Sequence, residues 1–226
     1  MPASRASARL HACVRTCAIV NHLAHFLLCP ADDEARAGTL IADFSRGNDL
    51  SGFTPAVELG IRLHRRIDAL VDSSPAVTAL KPLVGEPLRR YAGILFDVFF
   101  DYALIREWRA FHTASQSQFN ADIYASLART ETRMPEPVRS VSARMRAYGA
   151  LSSCATHAGC ARTLARIATR LKRPVDLAAG VDTLLRHEAQ IVDTFAQLFP
   201  ALQDGTRTYL TVSSLKMRPF ELSVNT

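Results

Sequence analysis

Imidazoles and carboxylates recur in this 226-residue sequence at helical spacing, a pattern that suits a divalent cation accepting mixed nitrogen and oxygen ligands. In GIRLHRRIDALVD, His64, Asp68 and Asp72 follow at four-residue steps, so a helix sets them along one face, with Ile61, Ile67, Leu70 and Val71 available for packing. In RRYAGILFDVFFDYALIREW, Asp97 and Asp101 stand one turn apart inside an otherwise apolar helix. Buried carboxylates without partners are costly, so these two must meet arginine, take up protons or bind a cation; Arg65, Arg66 and Arg106 are the candidate ion-pair partners. NHLAH adds His22 and His25, and TLIADFSRG ends an apolar run on Asp43 just before Gly47. Side chains gathered from several short helices are how a helical bundle builds a metal site. A cation held there would acidify a bound water and neutralise phosphoryl charge, the requirements of phosphodiester hydrolysis.

The elements that must position these groups are helical. Apolar residues recur at three- and four-residue steps, and no sustained alternation of the kind a half-buried sheet requires is found. The spacing predicts an all-α, single-domain bundle with helices over Asn21 to Leu28, Ala35 to Phe44, Pro55 to Asp72, Pro75 to Val84, Pro87 to Phe111, Ser117 to Thr130, Pro137 to Leu151, Cys160 to Leu171 and Leu177 to Phe199. Prolines 55, 75, 87 and 137 sit where a first helical turn tolerates them. The last helix carries Val181, Leu184, Leu185, Glu188, Ile191, Val192, Phe195, Leu198 and Phe199 at three- and four-residue steps, read as one core-facing stripe. Residues 1–19 read as a basic arm, the helical domain as 20–210, and 211–226 as a tail without periodicity.

Several chemistries are excluded. There is no G-x-S-x-G elbow, no G-x-x-x-x-G-K loop and no G-x-G-x-x-G turn. Cys154, His157 and Cys160 lack the second ligand pair of a structural zinc site. Five cysteines give no paired framework, which points to the cytoplasm. The most apolar stretch, Ile94 to Leu104, is interrupted by Asp97 and Asp101, so no membrane span is expected. A net charge of +6 favours an acidic partner. The basic residues are scattered with no nucleic-acid-reading motif, so nucleic acid is not expected to be that partner.

The ordered set NHLAH, TLIADFSRG, GIRLHRRIDALVD and RRYAGILFDVFFDYALIREW resembles the bacterial acyl carrier protein phosphodiesterase family, over about Asn21 to Phe199. The resemblance implies a helical relative of the HD-type phosphohydrolases that uses Mn²⁺ to remove 4′-phosphopantetheine from holo acyl carrier protein, an acidic partner in fatty acid and lipid metabolism. Asn21 and His25 match N-x-L-A-H; Asp43 matches the essential-carboxylate element; His64, Arg65, Asp68 and Asp72 match the H-R-x-I-D-x-x-x-D stripe; Asp97 and Asp101 match D-x-x-x-D. The resulting assignment has His25, Asp43, His64 and Asp101 holding Mn²⁺, with Asp43, Asp68 and Asp97 as catalytic carboxylates. Asp68, Asp72 and Asp97 are alternatively groups that orient the histidines or the water. Arg65, Arg66, Arg89 and Arg90 are the expected contacts for the carrier or its phosphodiester.

The sequence departs from that pattern in places. Tyr102 follows Asp101 where the family has histidine, and a phenol with a pKa of about 10 is a poorer ligand at neutral pH. Gly38-Thr39 replaces Gly-Asn, and RAYGALSSCATHAG lacks the Trp-Leu-x-x-Tyr feature. The alternative to a hydrolase is therefore a carrier-protein-binding paralogue that does not cleave. Family members start with methionine where Val20 stands, so residues 1–19 are alternatively an artefact of start-codon assignment. The sequence leaves the oligomeric state open.

Overall fold

The computed structural model describes residues 22–217, which form ten α-helices and no strand; residues 1–19 and Asn21, named above, lie outside them. Short helices α1 (His22–Leu28) and α2 (Asp33–Ile41) are followed by a 3-10 turn, Ala42–Phe44, and then by α3 (Pro55–Asp72) and α4 (Pro75–Leu80). The later helices are α5 (Ala92–Arg106), α6 (Trp108–Phe111), α7 (Gln116–Thr130), α8 (Glu136–Ala147), α9 (His157–Ala168) and α10 (Val181–Met217). Several starts have a local cause. The Asp32 carboxylate accepts from Ala35 N at 2.8 Å, while Thr54, Ser115 and Thr156 cap α3, α7 and α9 in the same way. Pro55 and Pro75 occupy first turns, where their missing N–H has no intrahelical partner to lose.

α5 is the central helix. Leu95, Phe96, Val98, Phe99, Phe100, Ala103 and Leu104 are buried on it, while Gly93, Asp97 and Asp101, at four-residue steps, form a less buried line. α10 lies along it, with the rings of Phe100 and Phe195 5.5 Å apart and Phe111 against Phe199 at 4.7 Å. One hydrophobic core extends from Leu23 to Leu202, which bears out the all-α single-domain expectation. Asp97 and Asp101 thus stand, half-buried, on the partly open line of a helix that is otherwise core.

The α2–α3 pair comes unusually close. A Cβ on Gly38 would fall 2.1 Å from Val57 O, and one on Gly60 would fall 2.0 Å from Ala35 O. Backbone meets backbone at both glycines, which brings Asp43, just past α2, up to His64, one turn beyond Gly60.

Some expected boundaries shift. The helix expected over Pro75 to Val84 ends at Leu80 and tightens into a 3-10 turn, Lys81–Leu83, around Pro82. The single helix expected over Pro87 to Phe111 is a 3-10 turn, Arg89–Tyr91, followed by α5 and by α6 after a break at Glu107. α10 runs through Pro200 to Met217, beyond the expected end at Phe199, and bends at His187, whose φ of −124° and ψ of 20° are not helical. No helix among the described residues is long and apolar enough to cross a membrane.

Candidate metal centre

Four elements bring imidazole and carboxylate together: α1 supplies His22 and His25, the Ala42–Phe44 turn supplies Asp43, α3 supplies His64 and Asp68, and α5 supplies Asp97 and Asp101. The rings of His25 and His64 stack 3.9 Å apart and within 8° of parallel. Both address one carboxylate: His25 Nε2 is 3.2 Å from Asp68 Oδ1, and His64 Nε2 is 3.4 Å from Asp68 Oδ2. Ligand atoms of His25, His64 and Asp68 all lie within 4.8 Å of one another. On the other side, Asp43 sets Oδ1 3.4 Å from His64 Nε2 and Oδ2 3.4 Å from His22 Nε2. The imidazoles and Asp43 are buried, whereas the Asp68 side chain is 47% exposed, so the group meets solvent at Asp68.

The electrostatics separate the roles. Burial, reinforced by repulsion from His64, lowers His25 to about 4, so it is neutral with a lone pair to offer. Burial also acts to lower His64, but Asp43 and Asp68 together overcome it and raise His64 to about 9. Burial acts to raise Asp68, and His25 and His64 outweigh it, holding its carboxyl well below the usual range. Asp97 goes the other way: burial, then repulsion from Asp68, Asp72 and Asp43, pushes it up to about 7. Without a cation, one proton on His64 holds two carboxylates and a stacked imidazole together. A divalent ion would do the same with twice the charge, and two nitrogens with carboxylate oxygen suit Mn²⁺, Fe²⁺ or Zn²⁺.

The chain matches the family described as "Acyl carrier protein phosphodiesterase" over residues 20–202, a span that holds every one of these groups. The chain belongs to that family. It is 30% identical over 189 residues to an acyl carrier protein phosphodiesterase of Serratia proteamaculans (strain 568), covering 83% of this chain and 98% of that one. It is 29% identical over 198 residues to one from Pectobacterium atrosepticum, covering 84% and 98%. An Escherichia coli K12 protein of that name is 42% identical over 89 residues, covering 39% of this chain and 46% of its own. No solved structure matches the chain.

Among the residues that the family resemblance singles out, His25, Asp43 and His64 are brought together, and Asp68 joins them as a potential ligand in its own right. Asp101 is not among the grouped ligand atoms of His25, His64 and Asp68, and instead lines a small cavity together with His22. Tyr102, where the resemblance led to an expectation of histidine, donates its hydroxyl to Glu188 Oε1 at 2.6 Å. Glu188 also pairs with Arg106 and sits 3.1 Å from His157 Nε2. Nothing local in the sequence marks that cluster, because Tyr102 and Glu188 are 86 residues apart. Arg65 reaches from α3 to Gly47 O at 2.8 Å and to Ser45 O and Oγ at 3.0 and 2.9 Å, pinning the loop that follows Asp43. Arg66 lies over the Tyr209 ring and Arg90 over the Tyr91 ring; both are exposed, as is Arg89. His22 is the residue that the Mn²⁺ assignment passed over, although its three-residue step from His25 in NHLAH was the available signal.

Proposed function

We propose that this chain is a divalent-metal-dependent hydrolase that cleaves the phosphodiester between holo acyl carrier protein and its 4′-phosphopantetheine arm. The observation that carries the reading is the convergence of His25, His64 and Asp68 on one point, with Asp43 beside them, in a chain of this family. When bound there, Mn²⁺ or a similar ion supplies charge neutralisation at the phosphoryl group and an acidified water. The donor set moves Asp68 in among the ligands and leaves Asp101 to the neighbouring cavity.

The protein's own groups have separate tasks. Neutral His25 offers a lone pair, and Asp43 brings Oδ1 to the same His64 Nε2 that Asp68 addresses, which adds a second carboxylate beside the ion. Asp68 faces the side from which substrate must come. Asp97, which changes protonation near neutral pH, can hand a proton to the departing carrier oxygen. In the balanced reaction, a water oxygen bonds to phosphorus as the bond to the carrier oxygen breaks. The products are the apo carrier, with a free hydroxyl, and 4′-phosphopantetheine. The net charge of +6 and the exposed Arg66, Arg89 and Arg90 suit an acidic carrier, and the reading implies a cytoplasmic role in fatty acid and lipid metabolism.

The test is incubation with holo acyl carrier protein and Mn²⁺, followed by intact mass. Loss of the arm that requires Mn²⁺ and disappears in Asp43→Ala is the expected result. A carrier that binds but keeps its arm under all metal conditions would replace hydrolysis with carrier binding alone.

A further inference from the structure

Basic residues are scattered along the chain, but acidic ones are not. Between residues 137 and 175 stand eight arginines and lysines with no aspartate or glutamate, while the rest of the chain holds more acidic than basic residues. The positive net charge therefore belongs to this one segment, which forms most of α8, the turn after it, and α9. A cleft of about 310 Å³ opens there, and every charged residue that lines it is an arginine: Arg144 on α8, Arg166 on α9 and Arg170 just past the end of α9. Arg144 and Arg166 are exposed, whereas Arg170 is partly buried. The Arg170 guanidinium is lowered from its ordinary value by burial and then by repulsion from Arg166 and Arg144, so the three charges act on one another. The rest of the lining is apolar, from Val141, Met145 and Ala150, and Tyr148 stands beside it 77% exposed.

We propose that this cleft between α8 and α9 is the docking surface for the acidic carrier protein of the proposed function, which sets carboxylates of a helix against the three arginines and an apolar side chain into the cleft. The inference rests on that carrier being the partner, and does not require that it be cleaved. Clustered like charges are relieved by a partner of opposite sign, which steers encounter and fixes register. A free phosphate or a nucleic-acid backbone would also meet the arginines, but it has no apolar side chain for Val141 and Met145, whereas a protein helix brings both kinds of group. Arginine and tyrosine around an apolar pocket are the residue types that anchor protein interfaces. The cleft is also placed for delivery to the centre. Met145 and Ala150 line at the same time the small cavity that contains His22 and Asp101, so a carrier seated there adjoins the α1 and α5 side of the imidazole cluster.

The experiment measures binding of apo carrier protein, which has no arm to lose, to the full chain by calorimetry at low salt, beside kcat and KM on holo carrier protein with Mn²⁺. Arg144→Glu and Arg166→Glu should each weaken binding at least about fivefold and raise KM in step, with kcat held within about twofold. Arg207→Glu, the same change of charge at an exposed position on α10, should alter none of these. Equal binding in all three variants would overturn the docking surface and leave the hydrolase standing. Localised loss of binding without any cleavage would leave the docking surface standing and remove the hydrolase. No binding to the unaltered chain would remove both, and tighter binding of a random RNA duplex than of apo carrier would overturn the choice of partner. Should the reversals fail to fold, hydrogen exchange on the unaltered chain decides: apo carrier must protect amides in 141–150 and 162–170, and protection confined to other segments overturns the proposal.

Discussion

Tyr102 and Asp97 show how differently two polar residues on the same buried helix can be used. The Tyr102 hydroxyl is committed to Glu188, which in turn gathers Arg106 and His157, so this position ties α5 to α9 and α10. Tyr102→Phe should cost about 1.5–3 kcal/mol, the worth of a hydrogen bond to a charged acceptor, and leave Mn²⁺ content unchanged. Metal analysis beside a thermal melt checks this, and loss of metal would make the hydroxyl part of the centre after all. For Asp97, a folded-state pKa near 7 against 3.8 means that ionisation is resisted in the native state, so stability is lost as pH rises from about 4 to 7. Asp97→Asn should therefore stabilise the metal-free protein at pH 8 by about 1–3 kcal/mol while lowering hydrolysis at least about tenfold. Denaturant titration and the intact-mass assay read the two effects, and a parallel loss in both would mark Asp97 as purely structural. The spacing of His64, Asp68, Asp97 and Asp101 was legible in sequence because a helix converts it directly into a face. The sharing of Asp43 between two histidines was not, since it depends on where a turn after α2 meets α1 and α3.

At the level of elements, the helices of the first half follow from proline, caps and periodicity, and α3 has the bounds the sequence predicts, Pro55 to Asp72. Two things stayed hidden. Glu107 breaks the long apolar run because the chain turns there into α6, and no glycine or proline announces it. The contact between α2 and α3 was also invisible, because Gly38 and Gly60 read locally as weak helix formers and only the packed pair shows backbone within a bond's reach of each missing Cβ. Gly60→Ala should consequently force the helices apart. The expected loss is about 3 kcal/mol or more, since neither atom met is a flexible side-chain end, together with weaker Mn²⁺ binding as Asp43 withdraws from His64. Gly93→Ala, with open space around its Cβ, is the control that should keep both properties. A melt and a metal titration on the two variants decide the matter, and equal behaviour would mean that the α2–α3 spacing is not what holds the centre.

Over the whole molecule, the centre makes folding depend on pH in a direction that the composition does not suggest. His64 is raised to about 9 from an ordinary value of 6.5, so the folded chain binds a proton that the unfolded chain releases between those values. Its contribution is complete below pH 6.5 and is lost as pH rises through 9. His25, lowered to about 4, has the opposite sign: its contribution is complete above 6.5 and is lost as pH falls toward 4. Asp97 loses stability across about pH 4 to 7 and so offsets His25 there, while on the alkaline side His64 is opposed by Cys154, whose thiol is lowered to about 7 by its hydrogen bond with Cys160. Relative to its His64→Gln variant, chelator-treated protein should lose on the order of 2–3 kcal/mol between pH 6.5 and 9, read from denaturant midpoints. Saturating Mn²⁺ should abolish that relative loss, because an ion between Asp43 and Asp68 takes over from the proton and binds more tightly as the proton leaves. Equal alkaline slopes in the metal-free unaltered and His64→Gln proteins would locate the titrating group elsewhere and remove the pairing of His64 with its two carboxylates as the link between folding and the metal site.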